Sequence, residues 1–322
     1  MIPVSASIPV IDEAALRLVM TPARAVDAMR EAFKADGEGR TRVPAVINLD
    51  IPSAHGEFHV KTAYIEGVPH VAVKVASGFF ENPKRGLPSG SGLMALFDAS
   101  TGFPVALLLD NGFLTDIRTA AAGALAAELL ARERLDTIGV IGSGIQGREQ
   151  VRCLATVRTF SRVVVWSRTP ESADRYCGAM SALGFDVRAM STPQAVCEAA
   201  DLLITATPSR TPLVRAEWLN EGVHVTALGS DSAGKQELDA ECLDRADLVV
   251  VDRFAQCSAF GELKHALGAG LLTRNDVHGE LGAIAAGRLP GRTSDREITI
   301  ADLTGVGFQD TAIASAAFRL LQ

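Results

Sequence analysis

Two rhythms of apolar and polar positions divide this chain. From Arg42 to Leu109 short alternating stretches are broken by Pro and Gly turns, which predicts strands at Val43 to Leu49, Glu57 to Tyr64, His70 to Val75, Gly92 to Phe97 and Pro104 to Leu109. Ahead of them Met20-Thr21-Pro22 opens a helix, with Thr21 as N-cap and Pro22 at the first helical position. Ala25, Val26, Met29, Ala32 and Phe33 fall on one face of it, and Gly37 and Gly39 end it. Thr115 begins an Ala-rich helical segment that runs through Leu130. Beyond it the rhythm changes. Fully apolar strands are expected at Thr137 to Ile141, Arg162 to Trp166, Phe185 to Ala189, Leu202 to Ala206, His224 to Leu228 and Leu248 to Val251. Helical stretches at about 145 to 157, 171 to 183 and 193 to 199 separate the first four. Continuous apolar strands between helices are what a parallel sheet covered on both faces requires, so this half reads as a doubly wound α/β domain. The tail from Asp310 to Leu321 is Ala-rich, helical and expected to return to the first domain. The expected division is a mixed α/β domain at 1–118 completed by 304–322, with the doubly wound domain at 119–303.

Composition narrows the class. At roughly 150 residues per domain, 322 residues suit two domains with ample core. The longest apolar runs, at 105–109 and 248–251, fall far short of the roughly 20 residues that cross a bilayer. Ser5 to Val10 gives way to Asp12 and Glu13 without a basic and apolar leader, so a soluble, cytoplasmic protein is expected. A net charge of −7, with no Lys/Arg run beyond two, excludes the basic stripe that nucleic acid needs. By itself that charge also argues mildly against an anionic substrate. Cys153, Cys177, Cys197, Cys242 and Cys257 are odd in number and lack a C-x-x-C pair, which points to reduced thiols and to no bound metal.

Directly after the strand at 137–141 comes Gly142-Ser143-Gly144-Ile145-Gln146-Gly147, a G-x-G-x-x-G that opens a helix. Gly142 permits the tight turn, Gly144 lets a pyrophosphate approach the backbone, and Gly147 allows close helix packing. In this strand-loop-helix setting the motif predicts a Rossmann dinucleotide-binding domain. About twenty residues past Gly147, where a carboxylate normally reads the ribose of NAD, stands Trp166-Ser167-Arg168-Thr169. Ser167 and Arg168 suit the 2′-phosphate of NADP; an Arg168 stacked on adenine suits NAD.

The first domain supplies cations: Arg42, Lys61, Lys74 and Arg118. Lys74 lies inside Val71-Ala72-Val73-Lys74-Val75, where an unpaired ammonium is costly to bury, so it is expected to point into a site. Together with the Asn82 to Gly92 loop, Leu114 to Ala122, the glycine loop, Gly229-Ser230-Asp231 with Gly234-Lys235, and Gly305 to Asp310, these residues resemble the ornithine cyclodeaminase/μ-crystallin family over nearly the whole length. Within it, Ser77 to Pro83, Leu107 to Gly112 and Asp302 to Gly305 look most like the subgroup of the iminosuccinate reductases and the proteins labelled ectoine-utilisation protein C.

The resemblance implies a substrate-binding and dimerisation domain built from both chain ends, and a homodimer. It implies that Arg42, Lys74 and Arg118 clamp a substrate α-carboxylate. Asp231 matches the acid that handles protons beside the nicotinamide, and Lys74 is the other proton-handling candidate. Thr205, Thr207, Gly229 and Ser230 match cofactor contacts. Cyclodeaminases carry an acid for the substrate's distal amine near the strand before Lys74, where this chain offers Lys61; a cation there, or Arg85, suits a second carboxylate. The reading that ranks first is NAD(P)H-dependent reduction of an α-imino acid, iminosuccinate to L-aspartate, with NAD as cofactor. Behind it stand an amino-acid cyclodeaminase that recycles NAD, a ketimine reductase or alanine dehydrogenase, and a ligand-binding protein without activity.

Overall fold

The computed structural model describes residues 7–79 and 81–322; Ser5 and Phe80, which belong to stretches read above, lie outside the described residues. The chain divides into two compact units, at Arg118/Thr119 and again at Gly305/Val306.

The first unit is built on strands β1 (Val10–Asp12), β2 (Thr41–Arg42), β3 (Ile47–Ile51), β4 (Gly56–Ile65), β5 (His70–Phe79), β6 (Gly90–Asp98) and β7 (Pro104–Leu109). They run in the order β1-β7-β6-β5-β4-β2, with β3 also paired to β4. All neighbours are antiparallel except β1 and β7. Of the strand expected at 43–49 only the end from Ile47 is in a strand, β3, because Pro44 has no N–H to give a ladder and residues 43–46 leave the sheet. One face of the sheet is covered by the helix Pro22–Gly37 and the C-terminal helix Gly307–Leu320, which pack on β4 and on each other. The first of these starts as expected, with the Thr21 side chain accepting from the Arg24 amide, and buries Ala25, Val26, Met29, Ala32 and Phe33. Phe33 meets Phe308 edge to face, with centroids 5.0 Å apart. The C-terminal helix is buried nearly all round, which explains why its sequence shows no polar stripe. Its buried polar groups are matched to the sheet: Thr311 Oγ1 donates to the Ala63 carbonyl at 2.8 Å and accepts from the Ala72 amide at 3.2 Å.

The second unit carries β8 (Thr137–Ile141), β9 (Arg162–Trp166), β10 (Val187–Ala189), β11 (Leu202–Thr205), β12 (His224–Ala227), β13 (Leu248–Val251), β14 (Gly279–Glu280) and β15 (Thr299–Asp302). The sheet is wholly parallel, in the order β10-β9-β8-β11-β12-β15-β13-β14. That is a doubly wound sheet whose order reverses between β8 and β11, and a ligand crevice is expected outside the carboxyl ends of those strands. Sequence patterning misses β15, although it lies between β12 and β13 in the sheet. Its Thr299 and Asp302 break the apolar run, yet both are buried and satisfied, Thr299 Oγ1 on the Leu130 carbonyl and Asp302 Oδ2 by the Leu263 amide.

All five cysteines are free and four are buried. Among the described residues, no helix is long and apolar enough to cross a membrane.

Candidate functional site

The second unit builds the glycine loop from the residues upward. β8 is buried along its whole length and delivers the chain to Gly142, whose φ of +114° is open to glycine and strained for other residues. The Gly142 amide donates to the Trp166 carbonyl at 3.0 Å, which anchors the loop to the end of β9. Ser143 and Ser167 join their hydroxyls across the same gap at 2.8 Å. Gly144 is the N-cap of the helix Ile145–Leu154, is exposed, and has open space where a side chain would stand. At Gly147 a Cβ would overlap the Gly142 carbonyl oxygen, so the helix closes onto the loop only because no side chain is present. The Tyr176 hydroxyl donates to the Gly147 carbonyl at 2.9 Å and pins that approach. The first amides of this helix have no partner within it, and the open approach lies in front of them. These features fit the pyrophosphate of a dinucleotide. Ile145 and Arg168 are exposed at this edge, and Gln146 is half-buried.

At the ends of β11 and β12 the remaining expected cofactor residues gather. Thr205 is buried, and the Thr207 amide and hydroxyl both donate to Glu237 Oε1, at 2.6 and 2.7 Å. The Gly229 amide donates to Glu237 Oε2 at 2.8 Å. The buried Ser230 hydroxyl lies 2.9 Å from the Lys235 carbonyl and 3.1 Å from that of Phe260. Asp231, in the turn after β12, is half-exposed and paired with Lys235 Nζ at 2.6 Å.

In the first unit a buried ion group stands where the helices cover the sheet. Lys74 is 3% exposed. Its Nζ lies 3.0 Å from Asp310 Oδ1 and 2.9 Å from Oδ2. Arg118 donates from Nε to Asp310 Oδ1 at 3.0 Å and from Nη1 to Gln309 Oε1 at 2.6 Å. Lys61 stands directly opposite Lys74 in the β4–β5 ladder. Burial pushes the Lys74 ammonium down to about 7; Asp310 resists this, while the Arg118 and Lys61 charges add to it. Burial works to raise the Asp310 carboxyl, but the charges of Arg118, Lys74 and Lys61 overcome it and hold it below the usual carboxylate range. Asp110, raised by burial, also feels Lys74 and accepts from the Leu114 amide at 2.9 Å. Lys61, Lys74 and Arg118 thus act on one another and on Asp310 through their charges.

The structure brings Lys61, Lys74 and Arg118 together and leaves Arg42 out. Arg42 pairs with Tyr64, three residues beyond Lys61, so strand alternation assigns it to the opposite face of β4. It is exposed, and its Nη1 donates to the carbonyls of Gly39 and Thr41. Arg118 and Lys74 meet at Asp310 and Arg42 takes no part in that group; its place in a carboxylate clamp stays an expectation from the family resemblance. Arg85 is likewise exposed, in the turn Asn82–Arg85. Sequence reasoning missed Gln309, Asp310 and Glu237. For the first two a signal was available, since two polar residues inside an apolar helix meet the same desolvation argument that singled out Lys74.

The model of the ornithine cyclodeaminase/mu-crystallin family matches residues 11–319. The chain belongs to this family. A relative in Rhizobium meliloti, provisionally named a dehydrogenase, is 47% identical over 96% of this chain and 94% of its own. The iminosuccinate reductase of Paracoccus denitrificans is 34% identical over 97% of this chain and 96% of its own. Its crystal structure in complex with NAD+ superposes with a TM-score of 0.90 at 33% identity, covering 97% of this chain and 96% of that one. The Δ1-pyrroline-2-carboxylate reductase of Thermococcus litoralis, solved with NADH and L-proline, gives a TM-score of 0.93 at 29% identity and covers 97% of both chains.

Proposed function

We propose that the protein is an oxidoreductase that reduces an α-imino acid to an L-amino acid with NADH, and that iminosuccinate, giving L-aspartate, is its substrate. The observation that carries the reading is the buried Lys74 and Arg118 gathered on Asp310, with the half-buried Lys61 opposite Lys74, in a family whose named relatives include an iminosuccinate reductase and Δ1-pyrroline-2-carboxylate reductases. The glycine loop and the turns after β11 and β12 would hold the dinucleotide; when bound it supplies hydride from the nicotinamide C4.

The residues of the chain do the rest. Arg118 has five N–H donors, of which Asp310 and Gln309 engage two; others of the fork meet the substrate α-carboxylate, with Lys74 beside it. Holding that carboxylate fixes where the imine carbon lies, which is the main catalytic contribution. Lys61 receives the second carboxylate. Reduction also needs a proton at the imine nitrogen. Lys74, brought down to about 7, is poised to donate it near neutral pH. Asp231 is the other donor carried by the chain.

The test is a panel of oxaloacetate, pyruvate, glyoxylate and cyclic ketimines, each with ammonia and with NADH or NADPH. Oxaloacetate with ammonia is expected to oxidise NADH with the highest kcat/KM of the panel. Oxidation by a cyclic ketimine, with none by oxaloacetate, would overturn the substrate. A strong NADPH preference would assign Ser167 and Arg168 to a 2′-phosphate and overturn the cofactor. Ammonia release from ornithine without net change at 340 nm would show a cyclodeaminase instead.

A further inference from the structure

Glu237 is a fully buried acid for which the described residues supply no salt bridge. Every hydrogen bond given above for its side chain comes from a turn at the carboxyl end of the parallel sheet: two from Thr207, after β11, and one from Gly229, after β12. The two turns approach so closely that a Cβ on Gly229 would overlap both the Thr207 carbonyl oxygen and the Glu237 carboxylate. Glu237 is itself held from behind, because Glu262 accepts from the Glu237 amide at 2.8 Å and the Leu238 amide at 3.1 Å. The segment from Gly229 to Glu237 is thereby closed on itself, with Ser230 on the Lys235 carbonyl and Asp231 on the Lys235 ammonium inside it.

We propose that Glu237 is the positioning residue of the cofactor side: one buried carboxylate fixes the Thr205–Thr207 turn against the Gly229–Asp231 turn, so that cofactor contacts on both are presented in a single arrangement. Burial pushes the Glu237 carboxyl up to about 7 and the bonds from Thr207 and Gly229 act against that; once ionised it suits this role, because it then accepts at both oxygens and donates at neither. A glutamine of the same shape offers an NH2 to one of the turns and must break with it. The inference rests on the reading of this unit as the dinucleotide-binding one, and it assigns to Glu237 no contact with the dinucleotide.

Glu237→Gln is therefore expected to raise the NADH dissociation constant about tenfold or more, the weight of one lost hydrogen bond to a charged group. It should raise KM for NADH while leaving KM for the imino acid unchanged, a split that a general loss of stability does not produce. Amide exchange at Thr207 and Gly229 should accelerate together in the variant. Wild-type NADH binding, followed by fluorescence titration, is the reference. If the wild type binds and Glu237→Gln folds and binds equally well, this inference fails alone. If the wild type binds no NADH, the reading beneath it fails too. Should the variant not fold, exchange in the wild-type protein decides: NADH must slow exchange in 205–209 and 228–232 together, and protection of one turn alone overturns the inference.

Discussion

Replacing Lys74 by methionine is expected to lower kcat/KM for the imino acid about 10²- to 10⁴-fold, the range for loss of a positioned proton donor, with NADH affinity unchanged. Methionine retains the length and apolar stem, so the packing of β5 is disturbed little, and Asp310 keeps its bond to Arg118. What disappears is the ammonium. The pH profile provides a second reading of the same variant. Since the Lys74 ammonium is pushed down to about 7, wild-type kcat/KM should fall as pH rises through that value and the proton leaves. Lys74→Met should lack this limb. The sign for stability is opposite. The folded lysine loses its proton near 7 while the unfolded lysine keeps its proton to about 10.4, so the unfolded state binds more protons between them, and stability attributable to Lys74 rises with pH across that window. A Lys74→Met enzyme with wild-type kcat/KM would move the proton to Asp231.

Asp310→Asn is expected to lower unfolding free energy by about 3 kcal/mol, measured by urea denaturation, because it removes the one carboxylate that bonds both Lys74 and Arg118 in the buried group. The depressed folded pKa of Asp310 gives stability that is present above the unfolded carboxylate range and lost as pH falls through the folded value. The wild type and the variant should therefore converge in stability at acid pH. Combining Asp310→Asn with Lys74→Met should cost less than the sum of the two, since the double variant no longer buries an unpaired ammonium. Additive losses would show that the two side chains do not act as a pair.

Much of this was open to inspection in the chain itself. The strands at 137–141, 162–166 and 248–251 fall where the apolar runs place them, because a strand buried on both faces needs little beyond local hydrophobicity. The glycine loop was legible for a related reason: each glycine answers a demand of backbone geometry made by its immediate neighbours. Lys74 was legible because a charge in an apolar run must be compensated somewhere. Where it is compensated was not legible. Asp310 lies 236 residues away, and pattern reading does not measure such separations.

Arg42 shows the other limit. It shares charge and neighbourhood with Lys61, but the side of a strand on which a residue stands depends on register, and a shift of one position reverses it. β15 and Glu237 fall under the same heading. Their polar side chains give no periodic signal, and what satisfies them is backbone amides of other segments brought close by the fold. The sequence by itself determined the elements, the dinucleotide loop and the family, since these follow from local periodicity, backbone sterics and residue spacing. Only the tertiary structure decided which charges meet. Burial makes each charge depend on partners brought from elsewhere in the chain, and it is those partners that set whether Lys74 holds or gives up its proton.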